Sequence, residues 1–290
     1  MSGLRIGTRG SALALTQARW VAERLGGELV EITTAGDLNR AAGDKSRWTG
    51  ALEGALVLGE IDLAVHSAKD VPGELPDGLE LIAAAARVDP ADVLCGAAAL
   101  TDLPAGARIG TSALRRRAQV LAERHDLEIV EVRGNVDTRL RKLADGEVDA
   151  LILARAGLER LGRLEDVGGV LEGEVFVPAA GQGVLALEAR TGDADAVAAV
   201  RAVQDEAAWT CLRAERALVR TLGADCHSAV GAHASLDEAG GLRLAGWVGV
   251  ADGSRWIRDD LAGDAGDPDA LGAEVGRRLL IAGAAEMLGR

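Results

Sequence analysis

Six arginines, Arg9, Arg115, Arg116, Arg133, Arg139 and Arg160, stand in stretches that read as strand, glycine-containing turn and helix, within a chain of 290 residues and formal net charge -13. A planar guanidinium takes a carboxylate through two parallel hydrogen bonds, and a helix N-terminus adds free N–H groups. Arginines so placed suit a small ligand with several carboxylates. Two of the turns lie in one stretch: Gly110-Thr111-Ser112-Ala113-Leu114-Arg115-Arg116 and Arg133-Gly134-Asn135-Val136-Asp137-Thr138-Arg139. A third, Thr8-Arg9-Gly10-Ser11, opens the chain. A run such as Arg115-Arg116-Arg117 is commonly just a solvated helix face, but the repetition of the turn favours anion binding. Over residues 108–163, 12 basic residues stand against 9 acidic ones, whereas the whole chain has 32 Lys and Arg against 45 Asp and Glu. The positive excess is local, which fits a small anion and disfavours nucleic acid.

A carboxylate interrupts this pattern. His66-Ser67-Ala68-Lys69-Asp70-Val71-Pro72 leaves an apolar strand at 61–65, at the end where ligands collect in open α/β sheets. Asp70 is therefore a candidate acid or base, able to hold a ring N–H and to face positive charge on that ring; the plain alternative is that Lys69 and Asp70 decorate a loop. Cysteines are three, Cys95, Cys211 and Cys226, with no metal-ligand spacing between them. Cys226 follows a helix in Leu222-Gly223-Ala224-Asp225-Cys226-His227. His227 favours its thiolate and Asp225 opposes it, while an inert buried thiol is the ordinary fate of a lone cysteine. The residues alone leave both readings open.

The elements that must carry these residues are legible as patterns. A strand at 4–7, a helix capped by Ser11 with apolar positions Leu13, Leu15, Trp20, Val21 and Leu25, strands at 29–34, 61–65 and 79–84, and a helix at 49–58 make an α/β unit with a mostly parallel sheet. A second such unit follows: strand 107–110, helix 112–124, strand 128–132, helix 136–143, strand 148–153, helix 156–161. Pro90 and Val177-Pro178-Ala179-Ala180 are the expected crossovers between the two units, with 184–188 returning as a strand to the first. After a helical stretch at 194–222, strands at 229–236, 242–250 and 255–261 and a helix at 269–288 read as a small three-stranded sheet with helix. Residues 37–48, rich in Gly, Asp and basic residues, read as a mobile loop or lid. The start, Met1-Ser2-Gly3-Leu4-Arg5, has no apolar run and no later run reaches a membrane span. A cytoplasmic chain with no membrane partner is expected.

In this order the motifs resemble the porphobilinogen deaminase (hydroxymethylbilane synthase) family over nearly the whole chain. The likeness rests on Arg5-Ile6-Gly7-Thr8-Arg9-Gly10-Ser11, on Ala64-Val65-His66-Ser67-Ala68-Lys69-Asp70-Val71-Pro72, on the Arg115-Arg116 and Arg133-Gly134-Asn135-Val136 turns, on Pro178-Ala179-Ala180-Gly181-Gln182-Gly183, and on Glu215-Arg216 ahead of Cys226. The chain departs from the usual pattern at Ala224-Asp225, where Gly-Gly is common, at Ala229 for proline, at Ala113 for serine, and at Trp48 for phenylalanine.

The resemblance implies two similar α/β domains of periplasmic-binding-protein type around a hinged crevice, at 1–86 with 182–203 and at 87–181, and a C-terminal α+β domain at 204–290. It implies a transferase that joins four porphobilinogen units head to tail with release of ammonia, in tetrapyrrole and heme biosynthesis. A dipyrromethane cofactor, thioether-linked to Cys226, serves as primer. Each pyrrole carries an acetate and a propionate, so the growing chain is a polyanion. By the same resemblance Asp70 and Lys69 are catalytic. Arg115, Arg116, Lys69, Asp70, Ser112 and Thr111 meet the cofactor, and Arg9, Ser11, Arg133, Arg139, Arg160, Lys45 and Trp48 meet the substrate. No metal and no nucleic acid are implied, and the chain is expected to be a monomer. A reversible binding module is the rival reading; Asp70 argues against it, because a carboxylate among arginines does nothing for a simple anion trap.

Overall fold

The computed structural model describes residues 3–33, 46–225 and 227–290, with the backbone alone at 46–48. The first sheet begins with β1 (Arg5–Thr8), β2 (Glu28–Glu31), β3 (Leu63–Ser67) and β4 (Leu79–Ala84). β1 runs parallel to β2 and β3, placing Ile6 opposite both Leu29 and Leu63. Between β1 and β2 lies α1 (Ala12–Leu25), where the Ser11 hydroxyl accepts the Ala14 N–H and Gly26, in the left-handed conformation, ends the helix. α2 (Ser46–Val57) precedes β3.

The second sheet repeats this plan. It contains β5 (Asp92–Cys95), β6 (Arg108–Gly110), β7 (Glu128–Val130), β8 (Ala150–Ala154) and β9 (Gly169–Val170), in the order β7-β6-β8-β5-β9. The chain then returns to the first sheet as β10 (Leu185–Arg190), giving the order β2-β1-β3-β10-β4. In each sheet three strands run parallel and the strand built just after a crossover, β5 or β10, is antiparallel to its neighbours. The fold is thus α/β with two similar sheets joined by two crossovers. Each has its own apolar core, Ile6, Val21, Leu63 and Leu187 in the first, Leu94, Ile109, Val120 and Ile152 in the second, all fully buried. Burying one such side chain contributes about 1.5–3 kcal/mol. The helices after β6, β7 and β8 are α3 (Leu114–Glu123), α4 (Val136–Ala144) and α5 (Arg155–Arg160).

After α6 (Ala194–Ala199) and a short turn, α7 (Glu206–Thr221) starts at an Asp205 cap and leads to the antiparallel strands β11 (Val230–Leu236), β12 (Leu242–Gly249) and β13 (Trp256–Gly263). α8 (Pro268–Ile281) and α9 (Ala284–Met287) close this small α+β unit. The buried Glu215 of α7 joins it to both crossovers: its carboxylate accepts the Gly181 N–H (2.6 Å) and the Ala234 N–H (2.7 Å) and pairs with Arg87 (2.8 Å). The crossovers lie side by side, with the Val88 N–H donating to the Gly183 carbonyl at 3.2 Å. Gly183 has φ +88°, and a Cβ there would collide with the Val88 carbonyl, so only glycine fits.

Several expectations need correction. The stretch at 37–48 is not loop throughout, because α2 already begins at Ser46; the remainder, with Lys45 and the expected lid, lies outside the described residues. The helix expected at 112–124 begins only at Leu114, since Thr111 and Ser112 form its approach turn. The stretch at 194–222 is broken before Asp205, and the terminal helix breaks at Gly283, whose φ is +106°. β5 was not foreseen: its four residues are all buried, so no polar alternation marks it.

Candidate active site

β3 ends in a short 3-10 turn, Ala68–Asp70, pinned by the Ala68 N–H to the Val184 carbonyl at 3.0 Å. Ser67 just before it is held by the Gln17 amide of α1, which donates to the Ser67 hydroxyl at 2.9 Å. Lys69 and Asp70 therefore sit half-buried at the strand end, beside the second crossover. Lys69 Nζ donates to Gln182 Oε1 at 3.2 Å.

From the other side come the arginines of α3. The Thr111 hydroxyl accepts the Ala113 N–H at 3.2 Å and shapes the turn, while Ser112 is exposed. Arg115 and Arg116 are buried, and both meet one carboxylate, Asp92 at the start of β5. Arg115 Nη1 is 2.6 Å from Asp92 Oδ2, and Arg116 Nη2 is 2.8 Å from Oδ1. Arg115 also donates to Gln119 Oε1 (2.8 Å) and the Val177 carbonyl (3.0 Å), and Arg116 to the Ile152 carbonyl (3.0 Å). Burial alone would raise the Asp92 carboxyl, but the two guanidiniums hold it well below the usual carboxylate range. One negative charge faces two positive ones, leaving a net cation.

The remaining residues divide. Arg139, on α4 behind an Asn135 cap, donates through Nε to the Gly134 carbonyl (2.8 Å); burial and Arg116 lower its pKa to about 10, against the opposing pull of Asp70. Arg160 donates to the Gly183 carbonyl at 2.7 Å, beside the hinge, and burial brings it to about 10. Lys69 is pushed down to about 7 by burial and by Arg116, with Asp70 and Asp92 opposing. Lys69, Asp70, Asp92, Arg115, Arg116 and Arg139 thus share one electrostatic field spanning both sheets. Arg133 instead is exposed and pairs with Glu131 at 2.6 Å. Arg9 is half-buried in the turn after β1, where Ser11 serves as the α1 cap. Lys45 and Cys226 lie outside the described residues, and Trp48 is described only as backbone in α2.

Next to Lys69 opens a cavity of about 500 Å3, lined also by Val71, Pro72, Arg216 and, on the α7 side, by Ala224, Asp225 and His227, which flank position 226. Asp225 Oδ1 accepts the His227 N–H (2.8 Å) and the Ser228 hydroxyl (3.0 Å). Sequence reasoning missed Asp92 and Gln182 as members of the site. Their partners are far away along the chain, and only the Gly181-Gln182-Gly183 sandwich, which marks a tight backbone crossing, hinted at either.

Comparison with known proteins shows the family of the chain. Residues 4–198 match the family model described as porphobilinogen deaminase, dipyrromethane cofactor binding domain, and residues 209–281 the one described as porphobilinogen deaminase, C-terminal domain. This chain belongs to the porphobilinogen deaminase family. A porphobilinogen deaminase of Deinococcus radiodurans is 44% identical, with 99% of this chain and 98% of that protein covered. That of Thermus thermophilus is also 44% identical, over 98% and 97%. Among solved structures, a periplasmic substrate-binding protein from Coxiella burnetii covers 71% of this chain and 94% of its own at 19% identity and TM-score 0.42; the two-sheet plan itself rests on the strand orders above. The family's dipyrromethane fits the residues present: a polycarboxylate calls for several cations sheltered from water, and Lys69, Arg116, Arg139 and Arg160 are cations at least half-buried. No helix among the described residues is long and apolar enough to cross a membrane.

Proposed function

We propose that this chain condenses four porphobilinogen units into linear hydroxymethylbilane, releasing one ammonia per unit, with Asp70 as the central catalytic group. The observation that carries the assignment of Asp70 is its place: a carboxylate from the first sheet in the same field as Lys69 and the second sheet's Arg116 and Arg139. We take residues 1–86 with 182–203, 87–181 and 204–290 as the three domains, a division supported by which strands share each sheet.

Dipyrromethane, thioether-linked to Cys226, supplies the primer on which the pyrrole chain grows. Arg115, Arg116 and Lys69, with Thr111 and Ser112, would hold its carboxylates. Arg9, Ser11, Arg133, Arg139, Arg160 and Lys45 receive those of the substrate, and Trp48 with Lys45 covers the bound pyrrole chain. Loss of ammonia leaves positive charge on the incoming pyrrole, and the Asp70 carboxylate stabilises that charge and accepts a proton from the ring. Lys69, whose pKa burial and Arg116 lower to about 7, can exchange a proton with the departing amine. The crossovers let the two α/β units close around the site and limit access of water. A monomer working in the cytoplasm goes with this reading.

Release of ammonia and of linear tetrapyrrole from porphobilinogen by the purified protein tests the assignment; no release after loading with substrate contradicts it. The arginines should not be equivalent. A charge-assisted hydrogen bond is worth about 1.5–3 kcal/mol, so Arg139→Leu and Arg160→Leu should each slow chain growth about 10- to 100-fold and leave covalent intermediates of partial length, visible by intact mass. Wild-type rates and intermediate patterns in both variants would remove these arginines from the site.

A further inference from the structure

Gln182 lies in the second crossover and is 1% exposed. Its amide nitrogen donates to the Pro90 carbonyl (2.6 Å) and to Asp92 Oδ1 (2.9 Å). Its amide oxygen accepts from Lys69 Nζ (3.2 Å) and, at the longer 3.5 Å, from Arg116 Nη2. Two acceptors on one side and two donors on the other admit a single orientation of the amide, since a flip would face oxygen with oxygen and N–H groups with cations. The partners come from different parts of the fold: Pro90 from the first crossover, Lys69 from the end of β3, and Asp92 and Arg116 from the second sheet and its helix. One neutral side chain therefore bridges both crossovers and both faces of the crevice.

We propose that Gln182 is the positioning residue for Lys69: its locked amide holds the Lys69 amine in register with the Arg116–Asp92 pair across the crevice and so governs when that amine carries a proton. The proposal rests on the reading of Lys69 as part of the deaminase site. Among the described residues, the charged groups acting on Lys69 include Arg116 and Arg115 from α3, Asp92 from β5 and the adjacent Asp70; Arg116 and Asp70 act in turn on Arg139 of α4. Burial and the two arginines favour the neutral amine, and the two carboxylates favour the ammonium. The net effect lowers the amine to about 7, and against it a hydrogen bond accepted from the ammonium by the Gln182 oxygen stabilises the charged form.

The sequence offers a direct readout, because it contains only three lysines, Lys45, Lys69 and Lys142. With 13C-labelled lysine in the holoprotein, three side-chain signals titrate, and Lys69→Arg identifies the one that belongs to Lys69. In Gln182→Leu the Lys69 midpoint should fall by about one pH unit, since the ammonium loses an acceptor. In Gln182→Glu it should rise by at least as much, since a carboxylate replaces the amide oxygen. The limb of kcat/KM for porphobilinogen that Lys69 controls should move the same way in each variant, and Lys142 should stay put. A purely structural role for Gln182 would alter stability and overall rate but leave the Lys69 midpoint where it is. The same midpoint in wild type and both variants overturns the proposal, and if Gln182→Leu does not fold, Gln182→Glu alone decides. Absence of porphobilinogen turnover in wild type would count against the functional reading, while the Lys69 titration would still be legible.

Discussion

Asp70→Asn is expected to lower porphobilinogen turnover by about 10²–10⁴-fold, the range for a positioned acid–base group, while the protein stays folded and keeps its cofactor. The substitution preserves shape, and Asp70 is half-buried at the end of a 3-10 turn whose backbone bonds do not involve its side chain. What is lost is the negative charge. Without it Lys69 and Arg139 lose the carboxylate that opposes their depressed pKa values, and no anion faces the positive charge left when ammonia departs. Steady-state rates with intact-mass measurement of the cofactor separate the two effects. Wild-type turnover in Asp70→Asn would remove Asp70 from the chemistry.

Asp92→Ala should be the most damaging change to the scaffold of the site, costing about 3–5 kcal/mol of stability, because it leaves Arg115 and Arg116 buried without their shared counter-charge. The folded Asp92 is held well below the ordinary aspartate value of about 3.9. Its contribution is therefore present above that value and is lost as the pH falls through the folded one. The denaturation midpoint of wild type should decline in strong acid through this group, and that part of the decline should be missing in Asp92→Ala. A variant within about 0.5 kcal/mol of wild type would show that the arginines find other partners.

The legible parts of this molecule were those written in contiguous sequence. The turn-plus-helix segments around Arg115 and Arg139, the Ser11 cap and the strand before Lys69-Asp70 each declare themselves within about ten residues, and the repeated strand–turn–helix order gave the two α/β units. What was not legible depends on distance along the chain. Asp92 meets Arg116 across 24 positions, and Gln182 meets Lys69 across 113. β5 has no alternation because both its faces are covered, and its role emerges only when it pairs with β8 and β9. Arg133 has a neighbour its motif does not announce: it is exposed and pairs with Glu131 two residues away. Beside position 226, composition alone does not reveal that Asp225 accepts hydrogen bonds from His227 and Ser228.

The central claim, a deaminase that builds its product on a primer at Cys226, is tested most directly by the intact mass of the purified protein after loading with porphobilinogen. Wild-type protein should be heavier by two pyrrole units, with the added mass mapping to the peptide containing Cys226, and Cys226→Ser should be unmodified and inactive. A wild-type mass equal to that of the bare chain, or an adduct that persists in Cys226→Ser, would contradict it.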